Sequence, residues 1–241
     1  METIVTEVAD GIYQLATYIE AADLRFNQYL ILADEPLLFH CGQRRLFSSV
    51  SSALAQVLPP AKLRWVSYGH FEADECGAMN DWLCAAPCAT VAVGRIGCML
   101  SAVDQAIRPP RALADHEVLD LGGKRVRYLA TPHVPHCWDA GVLYEETTGT
   151  LLCGDLFTQM GNGPALVDGD IVAAALASED HHHSTALTPQ TAPTIRALAQ
   201  YQPKALALMH GPVFHGDGAA ALRVLADGYA ERFTAAIAHA G

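Results

Sequence analysis

Four short apolar runs in this chain each lead directly into a residue of metal-ligand type, and this repeated pairing restricts the fold more than any other feature. Residues 63–67 lead into Tyr68-Gly69-His70-Phe71-Glu72-Ala73-Asp74-Glu75-Cys76-Gly77. Residues 128–130 lead into Thr131-Pro132-His133-Val134-Pro135-His136-Cys137-Trp138-Asp139. Residues 151–153 lead into Gly154-Asp155, and residues 205–209 into His210-Gly211-Pro212. Each alone has a plain explanation. Asp74 suits the cap of a helix starting at Gly77, and His133 and His136 read as loop histidines. A carboxylate such as Asp155, at the end of a buried strand, is costly unless a metal, an arginine or a helix cap compensates it. Together they describe strands that all deliver donors to one edge, which is where sheets with covering helices gather their sites. His70, Glu72 and Asp74 alternate, so an extended segment turns all three side chains the same way.

The rest of the chain supplies the sheets and helices this requires. Residues 4–8, 12–17, 27–32 and 36–40 read as strands, punctuated by Gly11, Asp34-Glu35 and Gly42. Helical spacing covers residues 47–58, and Pro59-Pro60 ends it. A helix is predicted at 77–86 and a strand at 91–93. Hairpins follow at 117–121/124–130 around Gly122-Gly123, and at 141–145/150–153 around Glu146-Thr147-Thr148-Gly149. Helices at 171–178 and 191–201, a strand at 205–209 and a long helix at 219–238 complete a mixed sheet system with helices outside.

Composition removes several function classes. With 26 acidic against 15 basic residues the net charge is −11, which repels a phosphate backbone and argues against nucleic acid as a partner. No window approaches the roughly 18–20 apolar residues of a membrane span, and Met1-Glu2-Thr3-Ile4-Val5-Thr6-Glu7 is not a signal peptide. The expectation is a cytoplasmic protein that does not engage membranes. Seven cysteines, an odd number, read as small buried hydrophobes without a disulfide framework. Cys84 and Cys88, three residues apart, lack zinc-knuckle spacing. The eleven histidines nearly match the lysines and arginines in number, and this excess in an acidic chain suits metal chemistry.

In order and spacing, His70-x-Glu72-x-Asp74, His136, Asp155 and His210 resemble the metallo-β-lactamase superfamily. The resemblance is to its diiron branch, the β-lactamase-like domain of flavodiiron proteins and the stand-alone oxygen-binding diiron (ODP) proteins. The hydrolase branch opens this loop with His-x-His-x-Asp-His, whereas Glu72 stands at the second donor here. The resemblance covers nearly the whole chain, including Asn27-Gln28-Tyr29-Leu30-Ile31. It implies an α/β fold, a four-layer αββα sandwich, with 1–241 as one ODP-like domain and no flavodoxin domain. One iron would take His70, Glu72 and His136, the other Asp74 and His210, and Asp155 would bridge them. His133 is the alternative to His136. Two positions depart from the family. Glu75 replaces a histidine and stands as a candidate ligand of the second metal or partner of a bound water, and His40 replaces an aspartate and is placed to donate to a ligand carboxylate. His215 is expected near the site rim, His181-His182-His183 in a solvated loop.

The resemblance implies a non-haem diiron protein that binds, and in one version reduces, dioxygen or nitric oxide, as a sensor or a reductase. Two iron ions are the expected cofactor, zinc or manganese the alternatives, with no flavin in this chain. Sustained reduction would need a separate electron-donor protein, and a homodimer is left open. The runner-up is a dinuclear-zinc hydrolase of an ester, thioester or phosphodiester, which rests on the fold alone. A non-catalytic binding module is the third reading.

Overall fold

Strand side chains alternate between two faces, and in this chain both faces of most strands are apolar, so each sheet must be covered twice. In β4 (Leu37–Phe39) Leu38 turns to one core while Leu37 and Phe39 turn to another. In β11 (Thr150–Leu152) and β13 (Ala205–Ala207) the same split separates Leu151 and Leu206 from Leu152, Ala205 and Ala207. Three apolar cores need four layers. The computed structural model, which describes residues 2–240, has this architecture.

The first sheet runs in chain order: β1 (Thr3–Ala9), β2 (Ile12–Ile19), β3 (Leu24–Ile31), β4, β5 (Trp65–Ser67), β6 (Thr90–Gly94) and β7 (Arg111–Leu113). β1 to β4 are antiparallel and β4 to β7 parallel. The second sheet has the order β12-β14-β13-β11-β10-β9-β8. Its remaining members are β8 (Val118–Asp120), β9 (Arg125–Ala130), β10 (Gly141–Glu145), β12 (Leu166–Val167) and β14 (Val213–His215). Outside the first sheet lie α1 (Phe47–Leu54), α2 (Ala73–Cys76), α3 (Met79–Ala85) and a helical stretch of α4 (Arg95–Gly97), a π-turn at Cys98–Ala102 and α5 (Val103–Gln105). Outside the second lie α6 (Val172–His182), α7 (Thr191–Leu198) and α8 (Gly218–Ala240). The expected α/β sandwich is observed.

Both predicted hairpins form, with Asp120 opposite Arg125 and Glu145 opposite Thr150. The predicted helix over 77–86 instead starts at Ala73, breaks at Gly77-Ala78 and resumes at Met79; the close approach at the break requires glycine, since a Cβ at Gly77 would meet the Ala73 carbonyl oxygen at 2.2 Å. The helical stretch at 95–105 and the strands β7, β12 and β14 carry no readable period. The first exposes Met99, Leu100 and Val103, and each of the strands has three residues or fewer. Burial of all seven cysteines does not hold, since Cys84 and Cys88 are exposed and Cys137 is half-buried; all seven are free thiols. No helix among the described residues is long and apolar enough to cross a membrane.

Candidate metal centre

Register brings the donors together. β11 and β13 are parallel, with Leu152 opposite Ala207, so Asp155 and His210 each leave the sheet three residues beyond a paired position. His70 lies the same distance beyond Ser67 on β5. The two sheets are then joined at this edge. The Gly141 amide donates to the Gly69 carbonyl at 3.0 Å, and a side chain at Gly69 would bring its Cβ to 2.9 Å from the Gly141 oxygen. The Asn27 amide group donates to the carbonyls of Leu208 (2.9 Å) and Gly211 (2.7 Å). Asn27 thus ties β3 to the segment that carries His210.

The donor atoms of His70, Glu72, His136 and Asp155 all lie within 4.8 Å of one another. His70 Nε2 is 3.0 Å from Glu72 Oε2 and 3.4 Å from Asp155 Oδ2. His136 Nε2 is 3.1 Å from Glu72 Oε2, 3.3 Å from Asp155 Oδ2 and 3.1 Å from His70 Nε2. On the other side of Asp155, His210 Nε2 is 3.4 Å from Oδ1 and 3.3 Å from Asp74 Oδ2. Two of the imidazoles are tied from behind through Nδ1, which leaves Nε2 turned inward. His136 Nδ1–H donates to the Ser184 carbonyl at 3.1 Å, and His210 Nδ1–H to the Arg25 carbonyl at 2.8 Å.

Without a metal this cluster holds protons. Burial would push the His70 imidazole down, but the Glu72 hydrogen bond and the charges of Glu75, Asp155 and Glu72 push it up to about 9. His210, despite burial, is pushed up to about 10 by Asp155 and Asp74. The Glu72 hydrogen bond raises His136 against burial. Bonds from His136 and His70 hold Glu72 well below the usual carboxylate range. Burial would raise Asp155, yet His210, His70 and His136 hold it low. Asp155 Oδ1 is buried without a well-formed hydrogen bond. An anionic donor set of this kind fits a cation: hard carboxylates with borderline imidazoles suit iron, manganese or zinc. The group falls into two sets, His70, Glu72 and His136 on one side and Asp74 and His210 on the other, with Asp155 between.

Glu72, Asp74, His136, Asp155 and His210 open onto a cleft of about 360 Å³ lined also by Leu24, Phe26, Gln43, Thr158, His182 and Ser184, with His70 buried behind them. Five sequence expectations need correction. Glu75 does not line the cleft; it is fully buried, with Oε2 at 2.6 Å from His40 Nδ1. His40 therefore bonds Glu75 rather than one of the carboxylates facing the cleft. His215 is not at the rim, because β14 pairs along the sheet and its Nε2 bonds the Val8 carbonyl at 2.8 Å. His181 and His182 are in the last turn of α6 rather than a loop, and His182 faces the cleft. His133 is exposed and outside the cluster. The supporting carbonyls of Ser184 and Arg25 are signalled by no residue type. The Cys137 thiol, expected to pack as a small hydrophobe, also comes within 4.8 Å of ring nitrogens of His70 and His136.

The sequence pattern of the ODP family of beta lactamases matches residues 24–211. Among solved structures, rubredoxin oxygen:oxidoreductase from Desulfovibrio gigas superposes with TM-score 0.78 at 18% identity, covering 96% of this chain and 62% of its own. A metal-soaked flavodiiron core from Synechocystis gives TM-score 0.78 at 21% identity, covering 97% and 61%. A flavoprotein from Thermotoga maritima gives 0.77 at 18% identity, covering 95% and 60%. The chain thus spans about three fifths of each of these relatives. No curated protein matches it by sequence.

Proposed function

Because this chain belongs to the ODP family of beta lactamases, we propose that it holds two iron ions and binds dioxygen or nitric oxide at the cleft edge. The observation that carries this reading is Glu72, a carboxylate 3.0 Å from His70 Nε2 and 3.1 Å from His136 Nε2, where a purely imidazole set would favour zinc. His70, Glu72 and His136 would hold one iron, Asp74 and His210 the other, and Asp155 would offer one oxygen to each. Bound ferrous iron would supply the electrons and the Lewis acidity for a diatomic ligand. The protein orients the donors: Ser184 and Arg25 tie two imidazoles from behind, and Leu24 and Phe26 narrow the cleft with apolar surface. Full reduction of dioxygen needs more electrons than a diferrous pair holds. Turnover as a reductase therefore calls for a separate electron-donor protein, and an oxygen sensor does not. A cytoplasmic setting suits either role.

The test is anaerobic reconstitution of the metal-free chain with ferrous iron, followed by admission of air or nitric oxide. Two irons per chain, a near-ultraviolet charge-transfer band and stoichiometric gas uptake are expected. Absence of both band and uptake overturns the reading. A cleft of about 360 Å³ has room for more than a diatomic, which favours a second reading as a dinuclear-zinc hydrolase. Protein isolated with two zinc ions and an esterase activity lost on chelation would establish that second reading instead.

A further inference from the structure

We propose that Glu75 is the positioning residue of His70: its buried carboxylate, 3.7 Å behind His70 Nδ1, takes the Nδ1–H when Nε2 turns to the first metal, while His40 and Gly69 hold it in place. The inference rests on the metal-centre reading above and adds to it a residue that the cleft itself does not show.

The surroundings of Glu75 are those of a support. Glu75 and His40 are both fully buried. A carboxylate removed from water in this way needs partners on both oxygens. Oε2 has two: His40 Nδ1 at 2.6 Å and the Gly69 amide, which donates at 2.8 Å. Oε1 has no hydrogen bond in this structure and lies 3.7 Å from His70 Nδ1. Among the described residues that ring nitrogen makes no hydrogen bond to any other group. The carboxylate also lies close to backbone on two sides. A Cβ at Gly69 would stand 3.2 Å from Oε1, and one at Gly154 3.8 Å.

The two other imidazoles show the same construction. His136 Nδ1 is tied to the Ser184 carbonyl and His210 Nδ1 to the Arg25 carbonyl, each with Nε2 facing the cluster. His70 is the third histidine of the set, its Nε2 facing Glu72 and Asp155. The group facing its Nδ1 is a carboxylate at 3.7 Å, not a carbonyl. A carboxylate that accepts from an imidazole fixes the tautomer and strengthens the ring as a metal donor, which a carbonyl does less strongly.

The helix explains why Glu75 does not reach the second metal. Asp74 and Glu75 are adjacent in α2, and neighbouring helical residues point about 100° apart. Asp74 takes the direction of the cleft, 3.3 Å from His210, which turns Glu75 back toward β4 and His40. The second metal is left with Asp74, Asp155 and His210, a smaller set than the first, so the two positions fill in order.

The test is zinc titration of the metal-free full chain against a chelating dye, in wild type, E75A and E75Q. The expected result is that E75A weakens the first, tighter zinc by about tenfold to a hundredfold and leaves the second unchanged. E75Q, whose amide oxygen still accepts from His70, recovers part of the loss. A loss confined to the second zinc would make Glu75 a ligand and overturn the inference, and so would an unchanged E75A. Should E75A fail to fold, the wild type decides. In the zinc-loaded protein, long-range proton–nitrogen spectra should show His70 protonated on Nδ1, with that proton slow to exchange. Protonation on Nε2, or a freely exchanging Nδ1 proton, overturns the inference. A wild type that takes up no zinc or iron overturns the metal-centre reading itself, whereas metal uptake with an indifferent E75A overturns only the role of Glu75.

Discussion

Asp155 is the residue whose removal reports most directly on the cluster. Its two oxygens stand 3.3–3.4 Å from three imidazole nitrogens, with Oδ2 near His70 and His136 and Oδ1 near His210. In the metal-free protein, Asp155→Asn takes away the one carboxylate that faces both halves of the site. Breaking a buried ion pair from one side costs about 3–5 kcal/mol. The proton affinities agree in scale. His70 rises from 6.5 to about 9 and His210 from 6.5 to about 10, each tenfold being worth about 1.4 kcal/mol, and Asp155 shares these rises with Glu72, Asp74 and Glu75. The sign follows from linkage. Histidines whose folded affinity is raised contribute stability that is fully present below 6.5 and is lost as pH climbs through about 9 and 10. Urea denaturation of metal-free wild type and variant should therefore differ by about 3–5 kcal/mol near neutral pH and converge at about pH 10.5. The variant should also bind neither metal normally. No difference at neutral pH, or an equal difference at both pH values, would refute the account of a cluster held by charged imidazoles around one carboxylate.

Three further outcomes follow from the same geometry. Metal uptake should release protons, because the first ion displaces the one His70 holds up to about 9. Apparent affinity in chelator competition should then rise about tenfold per pH unit for each proton displaced, and a flat profile between about pH 6 and 8 contradicts this. Asp74→Ala should leave one tightly held metal per chain by elemental analysis, since Asp74 faces His210 and not the His70 set; loss of both would deny two separable positions. Gly141→Ala should cost about 1–3 kcal/mol by thermal or urea unfolding, because its Cβ would meet the buried Tyr128 hydroxyl at 2.4 Å. An unchanged midpoint would show that Tyr128 moves aside freely.

Much of this molecule is legible in the chain because its signals are local. The Gly122-Gly123 turn, the apolar strand pairs on either side of Gly149 and the donor placed just after each strand are set by neighbours a few residues apart. From these came the mixed sheets, the outer helices and the donors His70, Glu72, Asp74, Asp155 and His210 with either His133 or His136, the family resemblance choosing His136; the register of parallel β11 and β13 and the exit of β5 carry them to one edge. Glu75 was not legible. It stands beside Asp74 in the sequence, but the first turn of α2 sends the two in different directions, and His40, thirty-five positions away, receives it. His182 reaches the cleft because α6 continues to it, and His215 is drawn to Val8 by the antiparallel register of β13 and β14. The carbonyls of Arg25 and Ser184 became supports only once β3 lay along the His210 segment and the 184 loop along the His136 loop. Side-chain type and strand period thus set which residues leave each strand toward the site, since both act over a few bonds. Which of them face the cation and which stand behind was decided by tertiary packing, because that depends on how two sheets and a short helix meet.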